Sequence, residues 1–180
     1  MHVNEARGTG AMIHPIVKYG NVVLETPTKP VEKFDEELQT VVADMFESMY
    51  AAQGVGLAAP QLGLNLRLAV IDVSNGKNPE AKIVCANPEI THAEGEQREE
   101  EGCLSLPGFR GYVARPQFVT VRAQDATGKE FQMRSEGLLA RAFCHEIDHL
   151  NGGLFISHLG MLKRDIIKRK IRKMKKNGNW

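Results

Sequence analysis

Leu138-Leu139-Ala140-Arg141-Ala142-Phe143-Cys144-His145-Glu146-Ile147-Asp148-His149-Leu150 is the stretch from which the fold is read. It contains no Gly or Pro and is followed by Asn151-Gly152-Gly153, so it reads as one helix with a glycine stop. On a helix, positions i and i+4 share a face, and His145 and His149 can point at a single ion. Glu146 follows the first histidine directly, where its carboxylate can reach a water on that ion without filling the coordination shell. Leu138, Leu139, Ala142 and Phe143 make the setting apolar, and two histidines, a Glu and an Asp buried there without an ion would need many hydrogen-bond partners. The His-Glu-x-x-His pattern therefore points to a metal-dependent hydrolase.

A catalytic metal of this kind needs a third protein ligand and one open position. Downstream, Phe155 occupies the place where a third histidine three residues after Gly152 would bind, and no Glu follows Glu146. Only His158 and Asp165 remain on that side, and His158, after the Gly-Gly break, reads as a capping or packing residue. Upstream, Glu101-Gly102-Cys103-Leu104-Ser105 precedes Leu106-Pro107-Gly108, a turn that can present a thiolate and the next backbone N–H to one cavity. Taken alone, Cys103 is equally a ligand or a small buried hydrophobe. Gly54-Val55-Gly56-Leu57-Ala58-Ala59-Pro60-Gln61 is too apolar for a phosphate loop and lacks the Lys-Ser/Thr that would follow one. Its small residues let a ligand approach the backbone, or simply make a tight helix-to-strand connection.

Around these stretches the chain reads as a single domain. Its 180 residues, 42% hydrophobic and 25% charged, suit one core of ordinary globular composition. No apolar run is long enough to span a bilayer. Cys85, Cys103 and Cys144 are odd in number and follow no framework spacing, which points to a reducing cytoplasm. Residues 1–11 read as a flexible N-terminal extension, with Met12 an alternative start, and 12–180 as the folded domain. Asp35 to Ala52 carries apolar residues at helical spacing, with Asp35, Glu36 and Glu37 placed to favour the helix dipole. Arg67 to Val73 reads as a buried strand, Lys82 to Thr91 as a second with a bend or edge feature at Asn87-Pro88, and Gln117–Ala123 with Glu130–Arg134 as a hairpin. Glu94 to Cys103 is merely acidic and polar. Strands precede the motif helix without alternating with helices, so the class is α+β, mainly antiparallel sheet around a central helix. A C-terminal helix over about 160–176 carries nine basic residues and one acid from Lys163 to Lys176, a charge of +8 against −7 for the rest. Leu162, Ile166, Ile167, Ile171 and Met174 form the stripe expected to dock it.

The three stretches together resemble the bacterial peptide deformylase family, which carries Gly-x-Gly-x-Ala-Ala-x-Gln, Glu-Gly-Cys-x-Ser and His-Glu-x-x-His in this order. The likeness runs from residue 12 to about 165. It implies an α+β fold and removal of the N-formyl group from nascent formyl-Met polypeptides. It implies one divalent ion held by Cys103, His145 and His149, with Fe(II) native and Zn, Ni or Co accepted. It makes Glu146 the acid/base and Gln61 with the Leu104 N–H the oxyanion site. Gly56 pairs with substrate backbone, and Arg110 matches a family arginine near the substrate. Cys144 stands where many members have Gln. Leu138, Ala142 and the stem of Arg141 are placed to line an apolar pocket for the Met side chain. Arg115 is expected to pair with Asp148. The basic tail suggests a ribosome contact, while no membrane and no sequence-specific nucleic acid is expected as a partner. Two rivals stay open: a metallopeptidase cutting internal bonds, and a non-enzymatic ribosome-associated module with a structural metal.

Overall fold

The computed structural model describes residues 10–180. Residues 1–9, most of the expected extension, lie outside the described residues. Met12 is anchored: its N–H donates to Asp44 Oδ1 at 2.7 Å, and His14 Nε2 meets the other carboxylate oxygen at 2.8 Å.

Helix α1 (Glu36–Ala51) starts one residue later than the dipole argument placed it. Asp35 caps it, accepting the Leu38 N–H at 3.1 Å and satisfying an otherwise orphaned donor. Strands β1 (Gly56–Ala58), β2 (Leu68–Ile71), β3 (Ile83–Glu94), β6 (Phe118–Gln124) and β7 (Glu130–Glu136) form an antiparallel sheet in the order β1-β2-β3-β6-β7. Strands β4 (Gln97–Gly102) and β5 (Arg110–Arg115) pair as a separate ribbon. Helix α2 (Gly137–Leu150) carries the histidines, and α3 (Met161–Lys176) follows it. The α+β class and the mainly antiparallel sheet stand as read.

The strand period of two explains why the sheet lies between helices. Leu68, Val70 and Ala86 face α1, packing with Met45, Phe46 and Met49. Their neighbours Ile71 and Cys85 face α2, packing with Ala140, Phe143 and Ile147. With both faces covered, β2 reads as an unbroken apolar run rather than an alternation. Asn87-Pro88 proves to be a bulge in the sheet's central strand and not an edge: the register slips between Ala86 and Glu89, and Asn87 adopts φ 52°. Its side chain accepts the Val31 N–H and donates to Val31 O and Gln124.

The acidic stretch is the main correction. It is strand β4, whose buried position is Glu101, a charge where strand patterning calls for an apolar residue. Arg115 on β5 is equally buried and takes both Glu101 oxygens, at 2.8 and 3.0 Å, so the ribbon carries its own counter-charge. The docking stripe of α3 is also narrower than expected. Ile167 and Ile171 are buried with Leu106, Val113 and Phe155, while Leu162 and Ile166 are exposed.

Candidate metal centre and pocket

Cys103, His145 and His149 converge, with all three ligand atoms within 4.8 Å of one another. Among the described residues no other such group of His, Cys, Asp or Glu occurs. Helix α2 supplies both imidazoles one turn apart, and the turn after β4 brings the thiol in across 42 residues, with Cys103 Sγ 3.3 Å from His149 Nε2. Burial pushes the Cys85 thiol up to about 12 and the Cys144 thiol up to about 11, so neither is a thiolate near neutrality. His158 is no ligand: it meets Asp148 Oδ2 at 2.8 Å.

Outside the donors lies a chain of charges. His145 Nδ1 meets Glu101 Oε2 at 3.1 Å, which leaves Nε2 for an ion. Arg115 joins Glu101 to Asp148, donating through Nη1 to Asp148 Oδ2 at 2.7 Å. The expected Arg115–Asp148 pair is therefore present, and the same guanidinium also takes both oxygens of Glu101. Burial pushes the Glu101 carboxyl up, but hydrogen bonds from His145 and Arg115 and the guanidinium charge outweigh it and bring it down to about 2. Burial also pulls both imidazoles down. In His145 the hydrogen bonds with Cys103 and Glu101 prevail and raise it well above the ordinary value, while His149, beside the His145 charge, falls well below it.

Glu146 is 4% exposed, and its Oε2 is buried without a hydrogen-bond partner among the described residues. Burial, the largest influence, pushes its carboxyl up to about 7. Gly56 makes room for it, since a Cβ there would lie 2.9 Å from the Glu146 Cδ. Gln61 is buried, and its amide is oriented by one bond: Oε1 accepts the Ala58 N–H at 3.0 Å. Nε2 then points to Ser105 Oγ at 3.2 Å and Cys103 Sγ at 3.7 Å. Ser105, a motif residue to which the sequence assigned no role, gives the amide a fixed partner through its hydroxyl. The Leu104 N–H donates to no backbone carbonyl among the described residues.

A cavity of about 420 Å³ opens beside these groups. Gly54, Val55 and Gly56 form one wall, Cys103, Leu104 and residues 106–110 another, and Leu138, Arg141, Ala142, His145 and Glu146 a third. Every residue singled out for substrate contact, namely Gly56, Arg110, Leu138, Arg141 and Ala142, lines it. Leu138 is half exposed at 52%, and Arg141 is tied back by donating to the Glu100 carbonyl at 2.9 Å. The Arg110 side chain is largely exposed, 3.6 Å from Glu100.

The donors and their surroundings fit a divalent ion. A thiolate and two imidazoles are a good ligand set for Zn or Fe(II), a carboxylate oxygen without a partner stands beside them, and three protein ligands leave a position open, as a closed structural site would not.

Comparison with known proteins agrees. A sequence model described as polypeptide deformylase matches residues 13–165. A peptide deformylase of Acidobacterium capsulatum is 59% identical over 169 residues, covering 94% of this chain and 99% of that protein. The crystal structure of a peptide deformylase from Legionella pneumophila is 50% identical and superposes with a TM-score of 0.85, covering 92% of this chain and 97% of that one. The Synechococcus elongatus enzyme in complex with actinonin is 38% identical, with a TM-score of 0.83 over 89% of this chain and 90% of that one.

Proposed function

This chain belongs to the polypeptide deformylase family, and from that premise we propose that Cys103, His145 and His149 hold its metal while Glu146, Gln61 and the Leu104 N–H carry the chemistry. It is a metal-dependent hydrolase that removes the N-formyl group from the formylmethionine of new polypeptides, releasing formate. The observation that carries the residue assignment is the convergence of three donors within 4.8 Å beside a buried carboxylate that has one oxygen unpartnered.

When bound, a divalent ion lowers the pKa of a water to around 7 and polarises a carbonyl. The protein supplies the rest. Glu146, with its carboxyl near neutrality, takes a proton from the attacking water. As the new C–O bond forms, the formyl oxygen becomes an oxyanion, and Gln61 Nε2 and the Leu104 N–H donate to it. One such donor is typically worth about 3 kcal/mol of barrier. Glu146 then passes its proton to the departing nitrogen, the C–N bond breaks, and formate and a free amine leave. Gly56 lies on β1, an edge of the five-stranded sheet, and can pair with an extended substrate backbone. Leu138, Ala142 and the stem of Arg141 form the wall for the Met side chain, and Arg110 stands at the mouth.

The native ion in this reading is Fe(II), which suits a thiolate ligand; Zn, Ni or Co fit the same set. The setting is a reducing cytoplasm, in keeping with three free thiols. Residues 12–180 act as one catalytic domain. The basic face of α3 draws the enzyme to ribosomal RNA phosphate, where its substrates emerge. No helix among the described residues is long and apolar enough to cross a membrane.

The test is purification without oxygen, metal analysis, and formate release from formyl-Met-peptides. Cys103→Ala should lose both ion and activity, while Cys85→Ala and Cys144→Ser keep the ion. Full metal occupancy in the Cys103 variant would remove the thiol from the ligand set.

A further inference from the structure

Gln61 and Ser105 come from separate parts of the chain, yet one short segment holds both by their backbones. The Val17 N–H donates to Gln61 O at 2.8 Å, and the Tyr19 N–H donates to Ser105 O at 2.9 Å. The segment therefore sets the spacing between the oxyanion-site amide and the turn that carries Cys103 and Leu104. The segment is held in turn by a residue from the far end of the chain. Trp180 donates its indole Nε1–H to Tyr19 O at 2.9 Å, and the Lys18 ammonium lies 5.7 Å from its ring. The same ring packs against Phe109, with centroids 6.1 Å apart, and Phe109 lines the cavity.

We infer that Trp180 is a positioning residue for the deformylase pocket. Its N–H locks the Val17–Tyr19 segment and, through it, the separation of Gln61 from Cys103 and Leu104. Its ring buttresses Phe109 and so sets one wall of the substrate cavity. The two contacts act on different quantities. Losing the N–H bond misaligns groups that act in the transition state and lowers kcat; losing the ring loosens the cavity wall and raises KM. The inference rests on the site assignment above.

Trp180 is the chain's single tryptophan, so its emission reads this contact directly. The metal-loaded wild-type enzyme is titrated with the product tripeptide Met-Ala-Ser, which carries no fluorophore. Trp180 emission should change saturably, with the same half-saturation as the peptide's inhibition of formate release. Trp180→Phe keeps a ring on Phe109 but donates nothing to Tyr19; it should lower kcat several-fold at nearly unchanged KM. Trp180→Ala should do both, and reduce kcat/KM by about 10-fold with metal content unchanged, since a misplacement of about 1 Å can cost as much as 100-fold. Wild-type kinetics in Trp180→Ala, or emission that stays flat while the peptide inhibits fully, overturns the inference. If Trp180→Ala does not fold, the wild-type titration and Trp180→Phe decide. Failure of the loaded wild-type enzyme to release formate would instead overturn the site assignment, a result these variants cannot mimic.

Discussion

Glu146 sits where a single added methyl group would displace it. The carboxylate leans into the space that a side chain at position 56 would fill, so Gly56→Ala must move either Glu146 or strand β1. The expected outcome is a kcat reduced about 10- to 100-fold, by misplacement of a reacting group, with metal content intact. Glu146→Gln should also keep its ion and lose at least the 10²–10⁴-fold typical of acid/base catalysis. Near-normal turnover of that variant in a formate-release assay would take the proton transfers away from Glu146. At this scale most of the site was legible, because His145, Glu146 and His149 sit at spacings that chemistry dictates. The contacts of Glu101 and Ser105 were not. Glu101 closes a run of acids at positions 99–101, and which cation it meets depends on the cross-strand position of Arg115. Ser105 matters through a hydrogen bond to a residue 44 positions away, which no local pattern carries.

Helix α3 carries an apolar face and a basic one. Ile167 and Ile171 seal the core under Leu106 and Val113, so removing residues 163–180 would strip the core as well as the charge. A clean test of ribosome affinity therefore leaves those two alone. Arg169, Lys173 and Lys176 point outward, and their replacement by Glu should abolish co-sedimentation with ribosomes at low salt while sparing hydrolysis of short formyl-peptides. Unchanged co-sedimentation would reduce the basic face to a solubility feature. Ile171→Ala should instead cost about 2–5 kcal/mol in denaturant unfolding, the usual range for a truncated core Ile. Helices α1 and α3 were legible because their apolar residues recur at helical spacing, and α2 because no Gly or Pro interrupts it before Asn151-Gly152-Gly153. Strands β4 and β5 were not: a two-stranded ribbon that buries an ion pair offers no alternating apolar signal. The bulge at Asn87 was seen as an irregularity, but whether it fell at an edge or the centre depended on β6, which arrives some thirty residues later.

Over the whole molecule, the sheet, the ribbon and the helices are tied by buried charge as well as by apolar packing. The Glu101 carboxyl has an ordinary value of 4.5 and a folded value of about 2. The unfolded chain thus binds the extra proton, and the stability from this network is complete above about pH 4.5 and is lost as pH falls toward 2. The loss is on the order of 3 kcal/mol. Urea unfolding across that window should show a steep fall in the wild-type protein and a shallower one in Glu101→Gln; equal slopes would place the acid lability elsewhere.

The clamp of Trp180 on the Val17–Tyr19 segment joins positions 161 residues apart, and this has a kinetic consequence. A pocket whose spacing depends on such a distant contact cannot mature piecemeal; it is finished only when the slowest long-range closure is finished. On refolding from urea with metal present, deformylase activity and the Trp180 emission signal should return with one rate constant, while helix content measured by circular dichroism recovers sooner. Formate release from this enzyme would then serve as a clock for the last step of its own folding.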